Sequence, residues 1–413
     1  MKVLWIASGG PWILPMLNAV KKNCDIELLI PQEGLKSYTN DTDNGVLTHH
    51  LPLPKGMGIR EKMTHEVYSL YKEVIDKVNP DIIHVHGTEI NFGQIQNFLK
   101  EIPVVVSVQG LLSGCLKYNT AFVKPEEIKP FMSIKNILGQ GGLYQADRVC
   151  EKGVKNYEID ILTHGRYYFG RTNWDRARIE FHNPHAHYFK GNELLRPVFY
   201  KNNGKWSFEK CDRHTIFMPS GFNPLKGMHI AVSAVALLKK YYPDVKLRIP
   251  GLPIEMLNRT GLKKVLIGED FLRYVKHIIS SNNIEENIEF LPQLSGEQMV
   301  EQMLKSNVYL SCSTIDNSSN AVGEATMLGM PIVVTAVGGL TSFMHDEYNC
   351  LLAPSGDEFM IAHQIMRLFE DSELSEQLSK QALKTAEDRH NIEATGRQYL
   401  NAYNEIIKIH RHK

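Results

Sequence analysis

Along most of the chain, short apolar runs rich in β-branched residues alternate with longer stretches in which apolar positions recur every three or four residues. The short runs predict strands at Val3–Ser8, Ile26–Ile30, Val46–Leu51, Ile82–His86, Val104–Val108 and Tyr167–Arg171. Further on they predict strands at Thr215–Pro219, Val245–Ile249, Ile288–Leu291, Val308–Ser313, Pro331–Ala336 and Cys350–Ala353. The periodic stretches predict helices. Arg60–Val78 sets Met63, Val67, Leu70, Tyr71, Val74 and Val78 on one face. Met228–Tyr242, 261–280, 295–306, Gly356–Leu368, Glu373–His390 and Ile392–His410 also read as helices. Several strands are apolar without alternation, as in a parallel sheet covered on both faces, so the pattern predicts an α/β chain. The polar stretch Lys201–Arg213 interrupts it and predicts a domain boundary near residue 200. At 413 residues the chain is long enough for two cores.

The most informative stretch runs from Val308 to Gly339. A buried strand leads into a polar turn, Asp316-Asn317-Ser318-Ser319-Asn320, and Ala321–Leu328 follows as a helix stopped by Gly329. Pro331–Ala336 is the next strand, ended by Gly338-Gly339. Such βαβ units bind ligands outside the carboxyl ends of their strands. Backbone N–H groups around Ser319, Asn320 and Ala321 would face an anion at the positive end of the helix dipole. Asp316 and Glu324 stand eight positions apart on either side of that start. With a diphosphate over the helix, one carboxylate can reach a ribose and the other a sugar. A capping role for Glu324 would need Ser or Thr three residues earlier, where Ala321 stands.

Composition removes other classes. Lys+Arg and Asp+Glu both number 46, so bulk charge gives no argument for nucleic acid. Six scattered cysteines without a C-x-x-C fit a reduced cytosolic protein rather than a disulfide framework or zinc knuckle. The apolar start fits a first strand and a Gly9-Gly10-Pro11 turn better than a signal peptide, and no run approaches the roughly 20 apolar residues of a membrane span. The expectation is a cytoplasmic protein, at most peripheral at an inner membrane. G-x-G-x-x-G is absent, which counts against a nicotinamide dehydrogenase. Asp41 and Asp43 form an Asp-x-Asp among turn formers, read as a solvated turn rather than a metal pair. His84 and His86 alternate onto one strand face without a third ligand, and His182, His185 and His187 lack a carboxylate or Cys partner. No metal is expected.

Residues 308–339 resemble the signature of retaining glycosyltransferases of family four, which have the GT-B fold. That signature is Glu, seven residues, Glu-Ala-Met, then Gly-x-Pro-Val-Val and Gly-Gly. The chain keeps Glu324-Ala325, Gly329, Pro331 and Gly338-Gly339, and has Asp316 for the first Glu. Lys226-Gly227 matches a family diphosphate lysine, while the family's accompanying Arg is Gly221 here. Gln109 stands where many relatives have a His near the reacting sugar. Gly170-Arg171-Thr172-Asn173-Trp174-Asp175 and the later Glu193, Arg196, Phe199 and Tyr200 match phrases of a subgroup linked to surface polysaccharides. Thr172 with Asp175 has the spacing of a capping box, leaving Arg171 at a strand end able to pair with a phosphate or acidic sugar.

The resemblance implies a GT-B chain with two Rossmann-like parallel-sheet domains facing across a cleft. Residues 1–200 would form the acceptor-side domain, 201–390 the donor domain, and 391–413 a helix crossing back to the first. Leu111–Gly142 would lie mainly in the first domain's core, with membrane docking as the other reading. The implied activity is retaining, metal-independent sugar transfer from a nucleoside-diphosphate sugar, a UDP-sugar first, to a glycan or lipid-linked acceptor in bacterial surface polysaccharide biosynthesis. No cofactor is implied, the nucleotide sugar being a substrate. Asp316, Glu324 and Lys226 are the expected catalytic residues. Gly9, Gly10, Gln293, Leu294, Ser319, Asn320 and Ala321 are assigned to donor binding with Glu324, and His86, Gln109 and Arg171 to the acceptor or sugar. Two rivals share the fold: a UDP-N-acetylhexosamine epimerase, which needs acids in the first domain, and a non-catalytic glycan-binding or partner subunit.

Overall fold

Two parallel sheets organise the chain in the computed structural model, which describes residues 1–10, 13–138, 143–251 and 270–412. The first sheet has the order β3-β4-β2-β1-β5-β6-β7-β8. Its strands are β1 (Lys2–Ile6), β2 (Asp25–Glu33), β3 (Thr39–Asp43), β4 (Val46–Leu53), β5 (Ile82–His86), β6 (Val104–Ser107), β7 (Tyr167–Gly170) and β8 (His187–Lys190). All pairings are parallel except β3 with β4. The second sheet, all parallel, has the order β11-β10-β9-β12-β13-β14. It comprises β9 (Asp212–Phe217), β10 (Lys246–Ile249), β11 (Ile288–Phe290), β12 (Ser306–Ser311), β13 (Ile332–Thr335) and β14 (Leu351–Ala353). In each sheet the strand order reverses once, between β1 and β5 and between β9 and β12. Helices leave to opposite faces there, and the strands' carboxyl ends part to form a crevice.

The sheets belong to separate units, Met1–Gly114 with Cys150–Leu194 and His390–Lys413, and Cys115–Val149 with Leu195–Arg389. The strip Cys115–Val149, expected in the first domain, belongs to the second. Val123 and Ile128 enter the core of β9, β10 and β12, Ala121 O accepts from His229 Nε2 (2.9 Å), and Asp270 Oδ1 accepts from Ser133 N (2.9 Å). Ile137 and Leu138 of the same strip are 66% and 70% exposed, not core. The polar stretch Lys201–Arg213 also lies inside the second unit, because Trp206 is buried and its Nε1 donates to Ser306 O (2.9 Å).

Two strands differ from the hydrophobic pattern. Thr39–Asp43, expected as part of a turn, is an antiparallel edge strand with every residue exposed, and Asp41 Oδ2 lies 3.1 Å from His50 Nε2. His187–Lys190 forms the opposite edge. Edge strands need satisfy the pattern on neither face, so backbone pairing alone defines them. The helix read from Arg60 begins at His65, because Thr64 caps it by accepting from Val67 N (3.2 Å). Among the described residues no helix is long and apolar enough to cross a membrane.

The first unit is closed by the helix Ile392–Arg411, whose Tyr399, Ala402, Tyr403 and Ile406 are buried against Val3, Trp5 and Ile82. Trp5 Nε1 donates to Tyr403 Oη (3.1 Å), which lies 2.6 Å from His84 Nδ1; His84 Nε2 lies 2.6 Å from Ser107 Oγ. A hydroxyl that satisfies two buried ring nitrogens is expensive to remove. Tyr403→Phe is expected to destabilise the first unit by about 2 kcal/mol, read as an earlier urea transition monitored by Trp5 fluorescence.

Candidate active site

The reversal between β9 and β12 builds a cavity of about 200 Å³ in the second unit. Met218, Pro219 and Ser220 approach it from β9, Leu310 to Ser313 from β12, and Ser319, Ala321 and Glu324 from the helix Asn320–Leu328. Lys226 and Arg196 complete the polar lining. Ser319 starts that helix without a side-chain cap, and no acidic residue stands in its first turn. Its leading N–H groups and dipole therefore favour an anion.

Two close backbone approaches place the flanking charges. Gly227, at φ +75°, follows the short turn Pro224–Lys226, and a Cβ there would stand 2.2 Å from Cys312 O. The same turn is held to the loop after β12 by Thr314 N donating to Leu225 O (2.8 Å). Gly338, at φ +52°, would place a Cβ 2.0 Å from Asp316 O, and Gly339 N donates to that carbonyl (2.9 Å). Only glycine lets both turns pack this tightly. Lys226 Nζ consequently reaches Asp316 Oδ2 at 2.7 Å. Arg389, itself buried, donates to Ser318 Oγ (2.8 Å) and fixes the loop from its other side.

Glu324 is one helical turn further in, its side chain 6% exposed. It caps nothing. Its two oxygens accept from Arg196 Nε (2.6 Å) and Nη2 (2.8 Å), a bidentate pair. Burial pushes its carboxyl above the ordinary range, while Arg196 pulls it back. The same bonds raise the Arg196 guanidinium. Of the expected donor residues, Glu324, Lys226, Ser319 and Ala321 line one cavity, and Asp316 stands just outside the lining on Lys226. Asn320 is the first residue of the helix but is outside the cavity lining. Gln293, exposed, and Leu294, packed on the β12–β13 core, follow β11 and do not line it either. Gly9 and Gly10, at φ +78° and +108°, stand after β1 in the first unit. Pro11 lies outside the described residues.

Arg196 is the polar residue missed as a site residue. The sequence marked it only as part of a phrase, and its partner Glu324 is 128 positions away. The signal available was an arginine just before a proline-led helix start, Pro197–Lys201.

The first unit gathers a second set at the carboxyl ends of β5, β6 and β7. His86, against the Trp5 ring at 4.5 Å, is buried and pushed down to about 3, first by burial and then by the Arg171 charge. It therefore stays neutral near physiological pH. Arg171 Nε lies 3.7 Å from Glu193 Oε2, and Asp175 caps the following helix reciprocally with Thr172. Gln109 follows β6, partly exposed. Glu89, just after β5, is raised by burial and accepts from Thr88 N (2.8 Å). Glu158, also raised by burial, accepts from Leu112 N and Ser113 N. A larger cavity of about 430 Å³ in this unit lies by the opposite, amino ends of β6 and β7, at Val104 and Tyr167. Sheets of this kind take ligands at the other end, so the smaller cavity is the stronger candidate. Among the described residues no group of three or more His, Cys, Asp or Glu could hold a metal ion.

Two doubly wound parallel sheets of this kind make up the GT-B fold. The chain superposes on sucrose-phosphate synthase from Thermosynechococcus elongatus with a TM-score of 0.67 and 16% identity, covering 99% of this chain and 100% of that one. It superposes on Anabaena HepE in complex with UDP with a TM-score of 0.63 and 14% identity, covering 98% and 100%. Residues 202–385, within the second unit, match the family model of glycosyl transferases group 1. An uncharacterized glycosyltransferase of Methanocaldococcus jannaschii is 23% identical over 92% of both chains. A D-inositol 3-phosphate glycosyltransferase of Stackebrandtia nassauensis is 27% identical over 45% of this chain, and that match spans only 40% of the relative.

The two strand histidines carry an acid-side prediction. Burial lowers His84 and holds His86 at about 3, against an ordinary value of 6.5. Between those values the unfolded chain binds more protons than the folded one, so stability is complete above about 6.5 and falls as pH drops toward 3. Urea midpoints at pH 5 and pH 7 are expected to differ less in His86→Gln than in the wild type. An unchanged difference would show that His86 does not titrate in this way.

Proposed function

We propose that this chain is a retaining, metal-independent glycosyltransferase that moves a sugar from a nucleoside-diphosphate sugar, a UDP-sugar first, to a glycan or lipid-linked acceptor. The observation that supports this most is the crevice between β9 and β12, where an uncapped helix start lies between Asp316 and Glu324 with Lys226 beside it. The donor diphosphate lies over the N–H groups at Ser319–Ala321. Glu324 binds the ribose diol, and Asp316 a hydroxyl of the transferred sugar. Lys226 offsets the charge that grows on the departing phosphate, which is the electrostatic part of the catalysis. That phosphate takes the proton of the acceptor hydroxyl, so transfer with retention needs no general base from Gln109. His86, Gln109 and Arg171 serve the acceptor or the moving sugar. The Gly170–Asp175 and Glu193–Tyr200 phrases favour bacterial surface polysaccharide as the product class. The UDP complex of the structural neighbour HepE supports UDP as the first nucleotide to test.

A second reading draws on the first unit. An epimerase of the same fold needs acids there, and Glu158, buried, and Glu89, half-buried, both have raised carboxyls. Both are engaged by backbone N–H groups, however: Glu89 by Thr88, and Glu158 by Leu112 and Ser113. That leaves transfer as the better reading.

Incubation with a panel of UDP-, GDP- and ADP-sugars, with and without lipid-linked acceptor, is expected to release nucleoside diphosphate mainly when acceptor is present. Sugar interconversion without acceptor would establish the epimerase reading, and donor binding without turnover a non-catalytic one. Glu324→Ala is expected to lower kcat/KM by at least about a hundredfold, the scale of losing charge-assisted bonds to the ligand, with the fold intact by circular dichroism. EDTA is expected to leave the rate unchanged; strict Mn or Mg dependence would contradict metal independence.

A further inference from the structure

The crevice holds two cations, and each is paired with one of the acids assigned to a sugar. Lys226 holds Asp316, and Arg196 holds Glu324. We infer that Arg196 is the second diphosphate-binding residue of this site, and that donor binding makes both ion pairs exchange partners. Phosphate oxygens take the two cations, while ribose and sugar hydroxyls take the two carboxylates. This deepens the donor reading and rests on it.

Charge balance is the first argument. The lining holds Arg196, Lys226 and Glu324, and Asp316, paired with Lys226 beside it, brings the group to neutral. A diphosphate ester adds about two negative charges, and a helix start returns only about half a positive charge. Lys226 alone leaves a deficit, and a second cation reduces it. The second argument is position. Arg196 lines the same cavity as Lys226, Ser319 and Ala321, and its side chain is 38% exposed, so it is not sealed against its carboxylate. Only two of the five guanidinium donors go to Glu324, leaving donors for a phosphate. The third is elimination. A Cβ at Gly221, after β9, would meet Met228 Sδ at 2.6 Å and Ile249 Cγ2 at 3.0 Å, so that position is closed to a long cation.

The exchange also explains how a buried carboxyl stays ready for a ribose. Burial favours the protonated form of Glu324, and the Arg196 pair opposes that until hydroxyl donors replace it. Both partners therefore need charge before and after binding, from different sources.

The test is calorimetric or NMR titration with UDP and, separately, uridine, at pH 8, which favours the ionised form of Glu324. The proteins are wild type, Arg196→Met and Arg196→Lys, each checked for a wild-type thermal transition. Arg196→Met is expected to weaken UDP at least about tenfold, the scale of a charged hydrogen bond, and to leave uridine binding unchanged or tighter. Arg196→Lys is expected to recover part of the UDP affinity. If Arg196→Met weakens uridine and UDP alike, Arg196 merely positions Glu324 and the inference is wrong. The same follows if neither changes. If wild type binds none of UDP, GDP and ADP, the donor reading itself falls and takes this inference with it.

Discussion

The constraint on which the second unit depends is the reversal of strand order between β9 and β12. It obliges two turns to leave neighbouring strand ends in different directions while remaining packed together. Backbone meets backbone there, at Gly227 against Cys312 O and Gly338 against Asp316 O. Side chains of any size at those two positions would push Lys226 and Asp316 apart. The charge pattern of the crevice is thus a product of steric contact between loops, and the acids and cations inherit positions set by glycine.

The same contact explains what the amino-acid sequence revealed. Asp316, Ser319, Ala321 and Glu324 were legible because they lie on one strand-turn-helix, where spacing along the chain and position in space coincide. Lys226 was legible because its turn repeats that local logic after β9. Arg196 was not, because it lines the cavity paired with a carboxylate from a helix remote in sequence. Gln293 and Leu294 were assigned by analogy with a strand end, and both lie outside the cavity lining.

The fold was read in the same uneven way. Central strands such as β1, β5 and β12 are buried throughout or nearly so, and apolar runs announce them. The edge strands β3 and β8 carry no such runs, since pairing along one side is enough to define them. Helix limits shifted where a side chain competed for the first turn, as Thr64 does. The strip Cys115–Val149 went astray for a different reason. Val123 and Ile128 are apolar enough for either core, and only the partners His229 and Asp270 decide which one takes them.

The helix Ile392–Arg411 contributes Tyr399 and Tyr403 to the centre of the first unit, beside a strand that begins at Lys2. During synthesis that strand emerges from the ribosome early, yet its covering helix arrives almost four hundred residues later. Residues Leu195–Arg389, together with Cys115–Val149, have all emerged before then. The second unit can therefore mature while its neighbour still exposes Trp5 and Val3, which leaves that apolar surface uncovered until the last helix arrives.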